Sequence, residues 1–175
     1  HRAPHRMPTF VDNHDVDRFL ASGDEAGLRQ ALAAMFTLPG IPVIYYGTEQ
    51  GFKDQRASMF ASGWGSGGRD HFDAQAPLYR FIRSLADLRA GDQHLLSRGA
   101  PTVLHADTEG PGALAWRPDH AGRSALVVFN TGPDDTTVRV HTGLRPGTPL
   151  QGRRGMAGLP QGLAVAAQGQ PALTL

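Results

Sequence analysis

The sequence predicts an α/β fold over about its first 95 residues and an antiparallel β domain over the remainder. Two observations predict the first part: apolar runs alternate with helical stretches in the order strand, helix, strand, helix, and the turn signals fall between them. A third observation predicts the second part, because from about Pro101 the chain changes to short β-type runs separated by Gly, Pro, Asn and Asp. The predicted domains are therefore residues 1–95 and 96–175.

The first strand and helix are predicted from residues 7–40. Residues 7–11 form a short apolar run, which predicts a buried strand. Further on, the segment from Ser22 to Glu25 has the S-x-x-E pattern of a capping box, so a helix is predicted to start there. Apolar residues at helical spacing continue that helix until Pro39-Gly40 stops it, and its predicted buried face consists of Leu28, Leu32, Met35 and Phe36.

The second strand and helix are predicted from residues 41–91. Residues 41–46 are apolar without interruption, which is typical of a parallel strand buried on both faces. A long loop follows, in which WGSGGRD is predicted to be mobile, with Trp64 fixing the loop to the body of the protein. Pro77 opens the next helix and Gly91 closes it, and its predicted apolar face consists of Leu78, Phe81, Ile82, Leu85 and Leu88.

The second part contains four β-type runs, PTVLHAD, GALAWRP, RSALVVFNTG and TTVRVHT. Their spacing of about 8–12 residues is typical of a sandwich or a barrel. From Gly143 onward the chain is rich in Gly, Pro and Gln, and only GLAVAA and ALTL resemble strands.

The composition excludes several classes of protein. Of the 175 residues, 40% are hydrophobic and 19% are charged, which favours a folded chain. The net charge is +1 and the basic residues are scattered, so neither a nucleic-acid nor an anionic-membrane surface is indicated. No run of about 18 apolar residues predicts a membrane span, and no apolar signal segment is recognised. The chain has no cysteine, and its eight histidines include no metal-binding pair at helical spacing, so no metal site is predicted.

The stretch TFVDNHDVDRF, residues 9–19, concentrates ionisable side chains directly after the first predicted strand. On the residues alone, Asn and Asp are predicted here to form turns and helix caps.

Two blocks together carry a resemblance to a known family. FVDNHD, residues 10–15, is followed thirty residues on by LPGIPVIYYGTEQ, residues 38–50. In order and spacing these blocks resemble the end of the catalytic barrel of the α-amylase family of glycoside hydrolases. The resemblance implies the C-terminal portion of a (β/α)₈ TIM barrel, with its last two βα units in residues 1–95, followed by an antiparallel β-sandwich domain. It fades after about Gly143.

The resemblance also implies a site at the carboxyl ends of the barrel strands, where such enzymes place catalysis. Asp15 would stabilise the oxocarbenium-like transition state, and His14 would hydrogen-bond the same sugar. Asn13 resembles a supporting position that binds chloride in some members of the family. Tyr46 and Glu49 complete the predicted substrate-binding residues.

The function implied is retaining hydrolysis of α-1,4-glucosidic bonds in starch-type α-glucans. That chemistry needs a carboxylate nucleophile and a carboxylic acid. In the family both come from earlier strands, so we expect a truncated chain that lacks them, although Asp15 and Glu49 could in principle share acid–base work. Asp12, Asp17 and Arg18 are predicted to have structural or loop roles.

Alternatives remain open at this point. The chain could be a non-catalytic carbohydrate-binding remnant using His14, Asp15, Tyr45, Tyr46 or Trp64, or a structural fragment that needs a partner chain. A transglycosylase or a sucrose- or trehalose-acting relative shares the same two blocks. The resemblance implies no cofactor in this chain, calcium in the full-length fold, and a secreted or periplasmic location. Self-association through exposed barrel edges is a further expectation.

Overall fold

Residues 3–92, 94–150 and 172–174 are described by a computed structural model. The chain divides into two units, His1–Arg98 and Gly99–Leu175. No helix in the described ranges is long and apolar enough to cross a membrane.

The first unit confirms the predicted order of strand, helix, strand and helix. Its two strands pair in parallel, with Pro8 opposite Ile41 and Thr9 opposite Pro42. A short 3-10 helix, Thr48–Gln50, follows the second strand, and another, Pro4–Arg6, precedes the first. The strands are β1 (Pro8–Thr9) and β2 (Ile41–Pro42), and the helices are α1 (Phe19–Ser22), α2 (Glu25–Thr37), α3 (Pro77–Ala90) and α4 (Leu95–Arg98).

The core of the first unit lies between α2, α3 and one face of the strand pair. The predicted apolar face of α2 is confirmed, since all four of its residues are buried and pack with Leu78 and Leu85 of α3. Val11 and Ile44, from the segments that continue β1 and β2, pack against the same cluster. Burying each large apolar side chain stabilises the fold by roughly 1.5–3 kcal/mol. The apolar faces of α2 and α3 therefore pack against the segments that follow the two strands and hold those segments in position.

The prediction that both strands are buried is wrong for one face of the strand pair. Only two residues of each run pair as strand, and Met7, Phe10, Ile41 and Val43 are exposed. Each strand has one pairing partner among the described residues, and the helices cover only one side of the pair. Pro42 also lacks an amide hydrogen for a ladder bond. A continuous apolar run is buried on both faces only when layers cover both.

The start of α2 also differs from the prediction. Asp24, not Ser22, is the N-cap residue, and its Oδ1 accepts a hydrogen bond from the Gly27 amide at 2.7 Å. Ser22 instead ends the separate short helix α1. Both residues are suitable caps, and the intervening turn after α1 moves the cap two residues along the chain.

Arg89 of α3 joins the end of α2 to the start of β2. Its guanidinium donates hydrogen bonds to the carbonyl oxygens of Phe36 and Leu38, at 2.5 and 3.0 Å, and to that of Gly40. The last carbonyls of a helix have no partner within the helix, so Arg89 satisfies groups that the turn would otherwise leave open. Burial lowers the pKa of Arg89, and Asp92 opposes that change.

The second unit contains a four-stranded antiparallel sheet, in which β4 pairs with β3 on one side and with both β5 and β6 on the other. A further antiparallel pair joins β7 to β8. That these two sheets form a sandwich stays a prediction, and the predicted strand GLAVAA lies outside the described residues. The strands are β3 (Ala100–Ala106), β4 (Ala113–His120), β5 (Arg123–Ser124), β6 (Val127–Asn130), β7 (Thr137–Arg139) and β8 (Ala172–Thr174).

The single predicted run RSALVVFNTG is divided into β5 and β6. Both segments keep one register along β4, since Asp119 lies opposite Ser124 and Trp116 opposite Val127. At the break, Pro118 accepts a hydrogen bond from the Ala125 amide but has no amide hydrogen to return. A proline on the facing strand therefore interrupts the ladder.

Candidate active site

The polar segment that follows β1 is built on a turn formed by Asn13. Its side-chain Oδ1 accepts hydrogen bonds from the amides of Asp15, at 2.8 Å, and Val16, at 3.2 Å. An Asn side chain that bonds the backbone two residues on makes an Asx turn. The prediction that this segment forms a turn is therefore confirmed for Asn13, and the turn fixes the position of the Asp15 backbone amide.

His14 and Asp15 form an exposed pair on this turn. Their side chains are 66% and 70% exposed, and His14 Nε2 lies 3.3 Å from Asp15 Oδ2. The carboxylate thus keeps an oxygen and most of its surface open to solvent. An accessible carboxylate beside an imidazole can accept hydrogen bonds from the hydroxyl groups of a ligand.

The loop after β2 holds the same turn from a second direction. Arg56 donates from Nε, at 3.2 Å, and from Nη2, at 2.9 Å, to the backbone carbonyl oxygen of His14. Both donors of one planar guanidinium meet a single acceptor, which restricts rotation of the peptide between His14 and Asp15. The sequence offered no signal for this contact, since 42 residues separate the partners.

Two tyrosines that follow β2 stand beside this pair. The rings of His14 and Tyr45 lie 6.4 Å apart at 54°, and those of Tyr45 and Tyr46 lie 4.5 Å apart at 67°. Desolvation by burial, and next a hydrogen bond with Tyr46, raises the pKa of Tyr45. The Tyr45 phenol therefore stays protonated near neutral pH, and Tyr46 keeps an exposed ring.

A buried polar network lies beneath these groups. Asp12 accepts from the Thr48 hydroxyl at 2.9 Å and from the Phe19 amide at 3.2 Å. Thr48 Oγ1 in turn accepts from Arg18 Nη1 at 3.3 Å. The Thr48 hydroxyl thus connects a buried carboxylate to a buried guanidinium. Arg18 also donates from Nε to the Asp54 carbonyl at 3.3 Å, which ties in the loop after β2.

Arg18 supports the aromatic residues from below. Only 1% of Arg18 is exposed, and its Cζ lies 4.0 Å from the centre of the Tyr45 ring and 5.2 Å from that of Tyr46. Such cation–π contacts stabilise by about 2 kcal/mol when they are desolvated. Its Nη2 has no hydrogen-bond partner among the residues that the structure describes. The structural roles predicted for Asp12 and Arg18 agree with this network.

The structure does not bring every predicted residue together. Glu49 lies on the 3-10 helix beside Thr48, and no hydrogen bond or ion pair joins its carboxylate to His14 or Asp15 in the described part of the chain. Trp64 is 72% exposed, so the prediction that it fixes its loop to the body is wrong. Instead, the backbone carbonyl oxygen of Trp64 accepts a hydrogen bond from the Ser58 amide at 2.8 Å, so hydrogen bonds within the loop hold the loop in place. Arg56 and Thr48 are contributors that the sequence did not indicate.

No three His, Asp or Glu side chains converge on a metal-binding point within residues 3–92, 94–150 and 172–174. The calcium expected for the full-length family fold stays a prediction. For chloride at Asn13, the side-chain oxygen serves the turn, which leaves the Nδ2 amide as the donor of that side chain for an anion. The chloride site also stays a prediction.

Comparison with known proteins adds three kinds of similarity. Residues 3–76 match the family profile described as alpha amylase, catalytic domain. The chain is 36% identical to an α-amylase of Streptomyces lividans in an alignment that covers 77% of this chain and 18% of that protein. It is 38% identical to a cyclomaltodextrin glucanotransferase of Paenibacillus macerans in an alignment that covers 71% of this chain and 16% of that protein.

Among solved structures, an Anoxybacillus α-amylase aligns with a TM-score of 0.75 at 24% identity, and the match covers 98% of this chain and 36% of that one. The three-domain cyclomaltodextrin glucanotransferase CldA aligns with a TM-score of 0.66 at 27% identity, over 98% and 36% of the two chains. The chain thus spans less than a fifth of these two curated relatives and about a third of these solved chains. The alignments are consistent with a partial (β/α)₈ barrel.

Proposed function

Because the chain belongs to the α-amylase family of glycoside hydrolases, we propose that it serves the retaining cleavage of α-1,4-glucosidic bonds in starch-type α-glucans. The observation that carries this proposal is the exposed His14–Asp15 pair, which is held on the Asn13 turn beside the tyrosines that follow β2. Both groups follow neighbouring parallel strands on the carboxyl side, which is where barrel enzymes place their catalytic groups.

In this proposal Asp15 binds the hydroxyl groups of the sugar whose bond is cleaved. As the bond breaks, positive charge develops on that sugar, and a carboxylate already fixed in place stabilises the charge without reorganising. His14 hydrogen-bonds the same sugar, and the Asn13 turn and the Arg56 contact keep both residues in position. Asp15 is therefore proposed as the transition-state stabiliser.

Retaining cleavage further requires a nucleophile and an acid about 5–5.5 Å apart. Other carboxylates of the first unit have structural partners: Glu25 pairs with Arg29 at 2.6 Å, Asp24 caps α2, and Asp12 lies in the buried network. We assign the nucleophile and the acid to none of them. Tyr46, with its exposed ring, and Glu49, on the 3-10 helix, are proposed as outer contacts of the sugar.

A second candidate reaction is transfer of the glycosyl group to another sugar instead of water. The similarity to cyclomaltodextrin glucanotransferases, among them that of Paenibacillus macerans, supports this candidate. The described site serves either reaction, because the oxocarbenium-like charge that Asp15 would stabilise develops whether water or another sugar is the acceptor. A non-catalytic glucan-binding role is the third candidate.

The proposal is tested by comparing the wild-type chain with Asp15→Asn and with Asp17→Asn, a matched change at a nearby exposed aspartate. If the wild-type chain releases reducing sugar from soluble starch, that release is expected to fall roughly 10²–10³-fold in Asp15→Asn, as for loss of one transition-state contact, and to persist in Asp17→Asn. Equal release from wild type and Asp15→Asn would contradict the catalytic role of Asp15.

Two further measurements separate the candidates. Chromatography of the products distinguishes hydrolysis from transfer, because transfer yields cyclic or lengthened oligosaccharides. The binding role is supported over catalysis if three results coincide: the wild-type chain binds maltotriose, Asp15→Asn weakens that binding, and neither protein releases sugar.

A further inference from the structure

Two segments carry the groups of the proposed site, one that follows β1 and one that follows β2. Two residues of each strand pair in the ladder, and the Val43 amide donates one further hydrogen bond to the Thr9 carbonyl at 2.8 Å. In the described part of the chain, the hydrogen bonds between residues 10–19 and residues 44–56 all involve a side chain. The position of one segment relative to the other is therefore set by side chains.

The guanidinium of Arg18, on the first segment, makes three contacts with the second. Its Cζ lies 4.0 Å from the centre of the Tyr45 ring, Nη1 donates to Thr48 Oγ1 at 3.3 Å, and Nε donates to the Asp54 carbonyl at 3.3 Å. A planar guanidinium offers a face to an aromatic ring and several donors at its edge, whereas the ammonium of a lysine is a point charge. The residue type therefore fits a position that holds a ring and a loop together.

Arg18 also acts on the residue that holds His14. Arg56 lies two residues after Asp54 and donates two hydrogen bonds to the His14 carbonyl. His14 in turn lies four residues before Arg18 on the same segment. The contacts thus form a closed set, which runs from Arg18 to the loop after β2 and returns to the turn that carries His14. Removing Arg18 breaks this set at its buried side.

The burial of this network indicates a geometric role more than a contribution to stability. Asp12, Arg18 and Thr48 are all at most 3% exposed, and Arg18 Nη2 has no hydrogen-bond partner among the described residues. Taking two charges out of water costs free energy that their mutual attraction often does not recover, and apolar replacement of such a pair is often neutral for stability. A buried cation with an unsatisfied donor is therefore better explained by the geometry that it imposes on its neighbours.

We propose that Arg18 is a positioning residue, which holds the Tyr45 ring and the loop after β2 against the His14–Asp15 turn. That the positioned groups bind an α-glucan rests on the proposed function. Arg18 is buried beneath these groups and acts on a sugar only through them. A site that is already held in its binding geometry loses less conformational entropy when its ligand binds.

The distance between two spin labels tests this position directly. The chain has no cysteine, so Asp17→Cys and Lys53→Cys place one label on each segment, both at exposed positions. Into this labelled chain we introduce Arg18→Lys, which keeps the charge without the planar donors, or Asp12→Asn/Arg18→Met, which removes both buried charges. The matched control is Arg29→Lys, because Arg29 also has a cation–π contact but lies on α2.

The distribution of label distances should broaden in both Arg18 variants and stay as narrow as in the unsubstituted labelled chain in Arg29→Lys. Thermal unfolding should show that the double variant is folded, because it leaves no buried charge unpaired. Broadening in that variant therefore reports lost position and not lost stability. A distribution that stays narrow in the double variant, or that broadens equally in Arg29→Lys, overturns the positioning role.

Binding of maltotriose to the unlabelled chains connects this position to the site. We expect both Arg18 variants to bind about three- to tenfold more weakly than wild type, as when one or two side chains must be ordered on binding. Asp15→Asn should also bind more weakly but should keep the narrow distance distribution. Unchanged affinity together with broadened distances overturns the role of Arg18 in the site. Absence of maltotriose binding in wild type contradicts the proposed function instead, and the label distances still decide whether Arg18 holds the two segments together.

Discussion

Arg56 and His14 are joined by two hydrogen bonds from one guanidinium to one backbone carbonyl oxygen, at 2.9 and 3.2 Å. Arg56 belongs to the loop that follows β2, and His14 to the segment that follows β1. The position of the proposed catalytic segment therefore depends on a loop residue that is not itself one of the proposed site residues. The Asn13 side chain holds the amides of Asp15 and Val16, and Arg56 holds the carbonyl of His14, so a local turn and a distant contact act on one short segment.

Arg56→Ala is expected to loosen the segment around His14 without unfolding the protein. Hydrogen bonds from a charged group contribute about 1.5–3 kcal/mol where they are protected, and exposure of Arg56 reduces that contribution. Hydrogen exchange should therefore speed up in a peptide spanning residues 10–19 and stay unchanged in α2. Arg56→Lys should recover part of the protection, because an ammonium lacks the planar pair of donors.

Arg69→Ala serves as the control for that experiment, since it removes an exposed arginine from the same loop. Faster exchange in residues 10–19 of this variant too would show that the loop as a whole, and not the Arg56 contact, orders the segment.

Removing the buried cation is expected to have a much larger effect on stability. Arg18→Met leaves the Asp12 carboxylate buried without its compensating charge, which costs about 3–5 kcal/mol. Thr48→Val keeps the shape of the side chain but removes the hydroxyl that connects Asp12 and Arg18, and should cost about 1–3 kcal/mol. Urea unfolding measures both changes in the free energy of unfolding.

Asp17→Asn provides the reference for the buried network, because Asp17 is exposed and should change stability by less than about 0.5 kcal/mol. A double variant, Arg18→Met/Thr48→Val, should cost less than the two single changes together, since both break one network. Additive costs would show that Thr48 does not couple the two charges.

The elements that the sequence predicted correctly are those determined by local patterns. The apolar face of α2 follows from helical spacing, and the Asn13 turn follows from the preference of Asn for such turns. The exposed face of Ile41 and Val43 could not be predicted in this way, because burial of a strand depends on which elements lie against it. The buried network could not be predicted either, because Thr48 lies 30 positions from Arg18 and 36 from Asp12 along the chain.

Two substitutions distinguish Asp24 from Ser22 as the N-cap residue of α2. Asp24→Ala removes the acceptor for the Gly27 amide, and such a loss costs about 1 kcal/mol of stability. Ser22→Ala should cost less than about 0.5 kcal/mol, because Ser22 is exposed at the end of α1. Thermal unfolding of both variants ranks them, and a larger loss in Ser22→Ala would restore the S-x-x-E capping box.

In the second unit, Asp107 is expected to make stability depend on acid pH. Its carboxylate accepts from the Ala113 amide at 2.7 Å, and this bond, followed by the contact with His105 at 3.0 Å, lowers the pKa of Asp107. A carboxyl whose folded pKa is lowered stabilises the fold above its unfolded pKa of about 4, and that contribution is lost as the pH falls through the folded value. Asp107→Asn should therefore unfold at a lower temperature than wild type at pH 6, and the difference should vanish by about pH 2.

Gly112→Ala offers an independent route to the same carboxylate, because a Cβ at Gly112 would overlap the side chain of Asp107 and displace it from the Ala113 amide. Its melting temperature should show the same convergence with wild type at low pH, on top of any loss that does not depend on pH. If both variants differ from wild type by a constant amount from pH 6 to pH 2, the ionised Asp107 carboxylate contributes nothing specific, and the turn is held by its backbone alone.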